Sequence, residues 1–134
     1  MTETYPRILQ VVLDTTDVRT LAEFYRRLFG LEYRPGDEPP ADKDWLVLRD
    51  PRGRGPQIAF QQTKGVRPSS WPDDDVPQML HLDSSVESTD ELERQRERAV
   101  ALGATIRLDR TDDPDEPLYV FADPAGHPFC IFVG

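Results

Sequence analysis

Few residues in this chain could carry chemistry, and most of them fall in short apolar stretches. The 134 residues hold one cysteine and two histidines against 25 carboxylates. His81 stands in Met79-Leu80-His81-Leu82-Asp83, and Cys130 in Phe129-Cys130-Ile131. If both stretches are strands, residues two apart share a face. His81 then sits with Met79 and Asp83, and Cys130 with Pro128 and Phe132. The same arithmetic sets Gln10 beside Val12, and Ala59 beside Gln57 and Gln61. This set is mixed, small and polar, as a ligand-facing surface is; a surface facing water or a second subunit reads the same way. The alternate set is Leu9, Val11 and Leu13, then Ile58 and Phe60, Leu80 and Leu82, and Phe129, Ile131 and Val133. It is uniformly apolar and is predicted to pack beneath helices.

Each group has a plain reading beside the chemical one. An imidazole can contact a ligand, move a proton or hold a metal, but a lone strand histidine is also an ordinary hydrogen-bonded residue. Cys130 reads as a small buried hydrophobe. No basic neighbour or helix N-terminus is evident in the sequence to activate it as a nucleophile. His127, in a turn, is expected to be exposed. Trp45 and Trp71 can supply aromatic walls. Trp71 lies in a proline-rich stretch where folding alone does not ask for an aromatic, so it is expected over a cleft mouth or at a dimer contact. The sequence has no Gly-x-Gly-x-x-Gly, phosphate loop or serine elbow. Asp73-Asp74-Asp75 lacks the spaced ligands and glycine of a calcium loop.

The elements that must position these residues come in two similar series. Ile8–Leu13 reads as a strand, and Thr15-Thr16-Asp17 as cap chemistry. A helix follows with Val18, Leu21, Ala22, Tyr25, Leu28 and Phe29 on one stripe, closed by Gly30. Strands are predicted at Leu31–Arg34, Trp45–Arg49 and Gln57–Gln62, with the loop Pro35–Asp44 and the turn Asp50-Pro51-Arg52-Gly53 between them. After a linker, Thr63–Gln78, the order repeats. It gives a strand at Met79–Ser84, a Ser88-x-x-Glu91 capping box, and a helix ending at Leu102-Gly103. Strands at Ala104–Leu108, Leu118–Ala122 and Pro128–Val133 complete it, with the acidic loop Thr111–Pro117 and the turn Asp123–Gly126. The offset is constant: 90 − 17 = 73, 103 − 30 = 73 and 123 − 50 = 73. Two copies of one βαβββ unit are predicted.

Composition bounds the partners. The net charge of −9, with no basic cluster, argues against nucleic acid. It suits a cationic ligand, and it also serves solubility. One cysteine cannot form an internal disulfide, so a cytoplasmic, reducing setting is the default. No apolar run approaches the ~20 residues of a membrane span. Met1 to Arg7 lacks the basic-then-apolar pattern of a secretion signal.

Two βαβββ units of this length, with Leu21-Ala22-Glu23-Phe24-Tyr25, Leu28-Phe29-Gly30, Leu80-His81-Leu82-Asp83 and Asp123-Pro124-Ala125-Gly126-His127-Pro128-Phe129, resemble the vicinal oxygen chelate superfamily. This is the group of glyoxalase I, the extradiol dioxygenases and the bleomycin-resistance proteins, and the chain looks most like its small glyoxalase-like domains. The resemblance implies one α+β domain over 1–134, with unit one at about 8–62, the linker at about 63–78 and unit two at about 79–134. It implies a curved mixed sheet, helices on the convex face and a cleft on the concave face. It also implies four metal-ligand positions, here Gln10, Ala59, His81 and Cys130, where 81 − 10 = 71 and 130 − 59 = 71. A hard divalent ion wants several oxygen or imidazole donors. One amide, a methyl, one imidazole and one thiol do not supply them, so no metal or other cofactor is expected; a divalent ion is the alternative.

The expected function is therefore metal-independent binding or sequestration of a small polar or cationic molecule. Gln10, Trp45, Gln57, Gln61, His81, Asp83 and Cys130 would line the cleft. The alternatives are a lyase, isomerase or dioxygenase with an atypical metal site, and an interaction module without ligand. A homodimer is expected, with no nucleic-acid or membrane partner.

Overall fold

In a computed structural model, which describes residues 4–134, the chain folds as the two predicted units. The reading of the N-terminus drawn from Met1 to Arg7 rests partly on residues 1–3, which lie outside the described residues. Unit one comprises β1 (Gln10–Thr15), α1 (Val18–Phe29), β2 (Glu32–Tyr33), β3 (Trp45–Arg49) and β4 (Gln57–Gln62). Unit two comprises β5 (Leu82–Val86), α2 (Thr89–Leu102), β6 (Thr105–Asp109), β7 (Leu118–Ala122) and β8 (Pro128–Val133). Each unit forms its own four-stranded mixed sheet, ordered β1-β4-β3-β2 and β5-β8-β7-β6, in an α+β fold. The first strand of each unit runs parallel to the last; the other pairings are antiparallel. Among the described residues no helix is long and apolar enough to cross a membrane.

Both first strands start later than the sequence suggests. β1 begins at Gln10, leaving Ile8 and Leu9 79% and 53% exposed. β5 begins at Leu82 rather than Met79, and Met79 is almost fully exposed. The cause is the partner strand. Gln10 pairs with Gln57, the residue after Pro56, and Leu82 pairs with Phe129, the residue after Pro128. Proline has no N–H to extend a ladder. Leu9 and Leu80 thus fall outside the apolar layer predicted for them.

The helices begin where cap chemistry dictates. The Asp17 carboxylate accepts from Thr20 N at 3.1 Å, and Ser88 Oγ from Glu91 N at 3.1 Å. The capping box of α2 closes only halfway, because the Glu91 carboxylate turns to Arg94 and Gln95. Gly30 ends α1 at φ 65°, a left-handed conformation that glycine adopts without Cβ strain.

One core joins the units. Leu13, Leu46, Leu48 and Phe60 of the first sheet share it with Phe121, Phe129 and Ile131 of the second, and the buried faces of α1 and α2 fill the space against them. Phe24 and Phe29 of α1 meet the Phe129 ring edge-on at 5.8 and 6.4 Å. Tyr25 OH donates to Asp123 Oδ2 at 2.6 Å, a buried bond between residues 98 apart in sequence. Arg98 of α2 donates to the Arg27 carbonyl at 2.8 Å, satisfying a carbonyl at the free end of α1.

The linker is not a loose tether. Ser70 N donates to the Val76 carbonyl and Val76 N to Ser70 Oγ, both at 2.8 Å, closing a compact loop. Arg107 on β6 holds the Ser70 carbonyl at 3.0 Å, and Trp71 N donates to Ser69 Oγ at 3.0 Å. Pro68 lies against Gly126, where an added Cβ would fall 2.3 Å from the proline ring.

Candidate functional site

The site grows from the open face of unit two, opposite the helices. Parallel pairing of β5 with β8 sets Asp83 directly beside Cys130. On the far side of β8, Cys130 pairs with Val120, and Leu118 with Phe132. Leu118, Val120 and Cys130 are buried together, with Phe132, Leu108 and Trp71 packed against them. This apolar floor lies in a cavity of about 590 Å³. Its rim carries His81, Asp83, Arg110 and Glu116, and Trp71 stands as its wall.

Trp71 stacks on His81, with ring centroids 5.3 Å apart and planes within 8° of parallel. His81 Nε2 lies 3.2 Å from Asp83 Oδ1, and Nδ1 lies 3.1 Å from Gln78 Oε1. A carboxylate only accepts, so Nε2 carries a proton. The Cys130 thiol is pushed up to about 11, first by burial and then by the charge and hydrogen bond of Asp83; Arg110 opposes this weakly. At neutral pH it is a protonated thiol and a poor nucleophile. Arg110 is turned to Asp113, at 3.3 Å.

The residues singled out in the sequence do not all meet. His81, Asp83 and Cys130 share this cavity, although His81 precedes β5 instead of lying within it. Gln10, Trp45 and Ala59 belong to unit one and do not line it. Ala59 is fully buried in its ladder between Val12 and Val47. Gln57 lines a second cavity of about 350 Å³, which also reaches Asp83, Arg52 and Arg54. Gln61 lines a third, of about 440 Å³, with Val12, Met79 and His127. His127 is half-buried, not exposed, and its Nε2 lies 2.7 Å from the Asp14 carbonyl. Arg110 and Glu116 were not legible as site residues. They come from an acidic loop with no motif, and only the β6–β7 connection brings them to the rim. Trp71 had a signal, an aromatic stranded among prolines.

The four ligand positions implied by the resemblance do not fit a hard divalent ion. The Ala59 methyl and the Gln10 amide stand on the other unit, so the cavity holds one imidazole and one thiol of that set. Mg²⁺ and Mn²⁺ prefer oxygen-rich sites.

Comparison with known proteins places this geometry. A family described as the glyoxalase-like domain matches residues 10–132. No curated protein matches the chain. Among solved structures it is similar to a glyoxalase/bleomycin resistance protein/dioxygenase family enzyme from Burkholderia phytofirmans PsJN. That match has 17% identity and TM-score 0.72, and covers 96% of this chain and 98% of that one. It is also similar to a fosfomycin resistance protein from Mesorhizobium loti, at 16% identity and TM-score 0.66, covering 100% of this chain and 94% of that one. A lactoylglutathione lyase from Agrobacterium tumefaciens matches at 17% identity and TM-score 0.62, covering 98% and 96%. At these identities the likeness is one of fold.

Proposed function

The chain belongs to the glyoxalase-like domain family, and we propose that it binds and sequesters a small polar or cationic molecule in the cavity of unit two, without a metal. Its structural neighbours carry the names of a resistance protein and of a lyase, so fold alone does not choose an activity. The residues of the cavity favour binding. The observation that carries the reading is the pairing of two rim carboxylates, Asp83 and Glu116, with an aromatic wall, Trp71, over an apolar floor.

A cation leaving water needs a counter-charge, and two carboxylates supply it. An aromatic face adds about 0.5–2 kcal/mol of cation–π attraction. Arg110, the one arginine or lysine on the rim among the described residues, is drawn off to Asp113. Cys130, held as a thiol, offers no activated nucleophile. Cytoplasmic residence and a homodimer belong to the same proposal, and the dimer is checked by light scattering.

A thermal-shift panel of small amines, guanidines and quaternary ammonium compounds against carboxylates and phosphates tests the reading. Cations are expected to raise the melting temperature, and Asp83→Asn with Glu116→Gln is expected to abolish the rise. Stabilisation by anions alone would contradict it.

A further inference from the structure

The cavity of about 350 Å³ that Gln57 lines has a floor of Val11, Phe29, Leu31, Ile58 and Leu82. All five pack on the core that joins the units while staying partly uncovered. The cavity of His81 and Cys130 stands on a separate apolar cluster. Leu82 and Asp83, adjacent on β5, point to opposite faces of the strand, so the two cavities lie on different sides of it. In the connection between β3 and β4, Asp50, Arg52 and Arg54 stand at the mouth over this floor. We propose that this cavity binds a small acid with an apolar tail, its carboxylate on Arg54 and its tail against Leu31, Ile58 and Leu82.

The hydrogen bonds at the mouth select the head group. The Asp50 carboxylate accepts from Arg52 Nε at 2.7 Å on one oxygen and from Arg54 Nε at 3.2 Å on the other. Arg52 Nη2 also donates to the Phe29 carbonyl at 2.9 Å. Arg54 is held through Nε alone, which leaves its two Nη groups uncommitted among the described residues. Two N–H groups of one guanidinium match the two oxygens of a carboxylate. Two guanidiniums against one carboxylate leave one positive charge at the mouth, the match for a monoanion, in a chain whose net charge is −9. Asp83 reaches this cavity too, but its Oδ1 is turned to His81 Nε2 at 3.2 Å and does not occupy the arginines. The partly uncovered floor supplies the apolar surface that a tail buries.

None of the four positions implied by the resemblance lines this cavity. The inference goes beyond the cation reading and does not rest on it, because head groups of opposite charge go to separate cavities.

The test is a calorimetric titration of the full chain with octanoate, beside octanol, which lacks the charge, and acetate, which lacks the tail. Saturable binding of one octanoate per chain is expected, with octanol and acetate at least about tenfold weaker. Arg54→Gln is expected to weaken octanoate at least about tenfold, the effect of losing hydrogen bonds to a charged group, and to leave octanol unchanged. The Arg54 side chain is 68% exposed, so the variant keeps its core. Methyl resonances locate the ligand: those of Val11, Ile58 and Leu82 are expected to shift, and those of Leu118 and Val120 to stay. No saturable binding, octanol bound as tightly as octanoate, or an affinity indifferent to Arg54→Gln overturns the proposal. So do shifts at Leu118 and Val120 in place of Val11, Ile58 and Leu82. The organic-cation reading is judged by its own panel, whichever way this titration falls.

Discussion

Cys130 and Tyr25 carry the sharpest consequences at the scale of single residues. The Cys130 thiol is pushed up to about 11, first by burial and then by Asp83. Its unfolded value lies near ~8.5. A raised folded value means that the folded chain holds the proton longer. Its contribution to stability is therefore complete below the unfolded value and lost as pH rises toward about 11. Thermal melts across that window should fall more steeply for the native chain than for Cys130→Ala; parallel curves would refute the assignment. Tyr25→Phe removes a donor from Asp123, whose carboxyl is already pushed up by burial. The expected cost is about 1–3 kcal/mol in denaturant unfolding. Residue roles were unevenly legible. Strand period set His81 with Asp83, the resemblance named His81 and Cys130 as equivalent strand positions, and the β5–β8 register brings Asp83 and Cys130 side by side. Asp37 was not legible, since it sits in a stretch that reads as polar loop, yet it is fully buried, held by Lys43 at 2.9 Å and by Val47 N at 2.9 Å.

Among the elements, α1 carries an acid-sensitive contact and the linker carries a wall of the site. Glu23 on α1 is held down to about 2, chiefly by Arg26, with Tyr33 of β2 adding to it against the cost of burial. A depressed folded value gives stability that is present above the usual carboxylate range and lost as pH falls toward about 2. Glu23→Gln should flatten this acid limb in a pH series of melts. The linker loop carries Trp71, and its Pro68 fills the space over Gly126, where φ is +96°. Gly126→Ala should lower the melting temperature and loosen Trp71 from His81, seen as a red shift of tryptophan emission. An unchanged spectrum would show that the Pro68 contact does not position Trp71. Helix ends were legible because caps are local chemistry. The starts of β1 and β5 were not, because Pro56, just before β4, and Pro128, at the head of β8, set them. The order within the linker was hidden too, since Ser70 bonds to Val76 and to Arg107 across sequence gaps that composition does not reveal.

Across the whole molecule, duplication gives scaffold but not chemistry. Val12 pairs with Ala59 and Asp83 with Cys130, at equivalent places: 83 − 12 = 71 and 130 − 59 = 71. One unit presents methyl groups there, and the other a carboxylate and a thiol. The internal repeat made the two-unit architecture readable from spacing alone. It could not show that Gln10, Gln57 and Gln61 lie outside the cavity of His81, because the placement of one unit against the other depends on the shared core around Tyr25 and Phe129. The most direct test of the central claim is a fluorescence titration of Trp71 in a Trp45→Phe background, with benzyltrimethylammonium and excess chelator. Saturable quenching that is lost in Asp83→Asn with Glu116→Gln is the predicted result. No quenching, or quenching indifferent to both carboxylates, would contradict it.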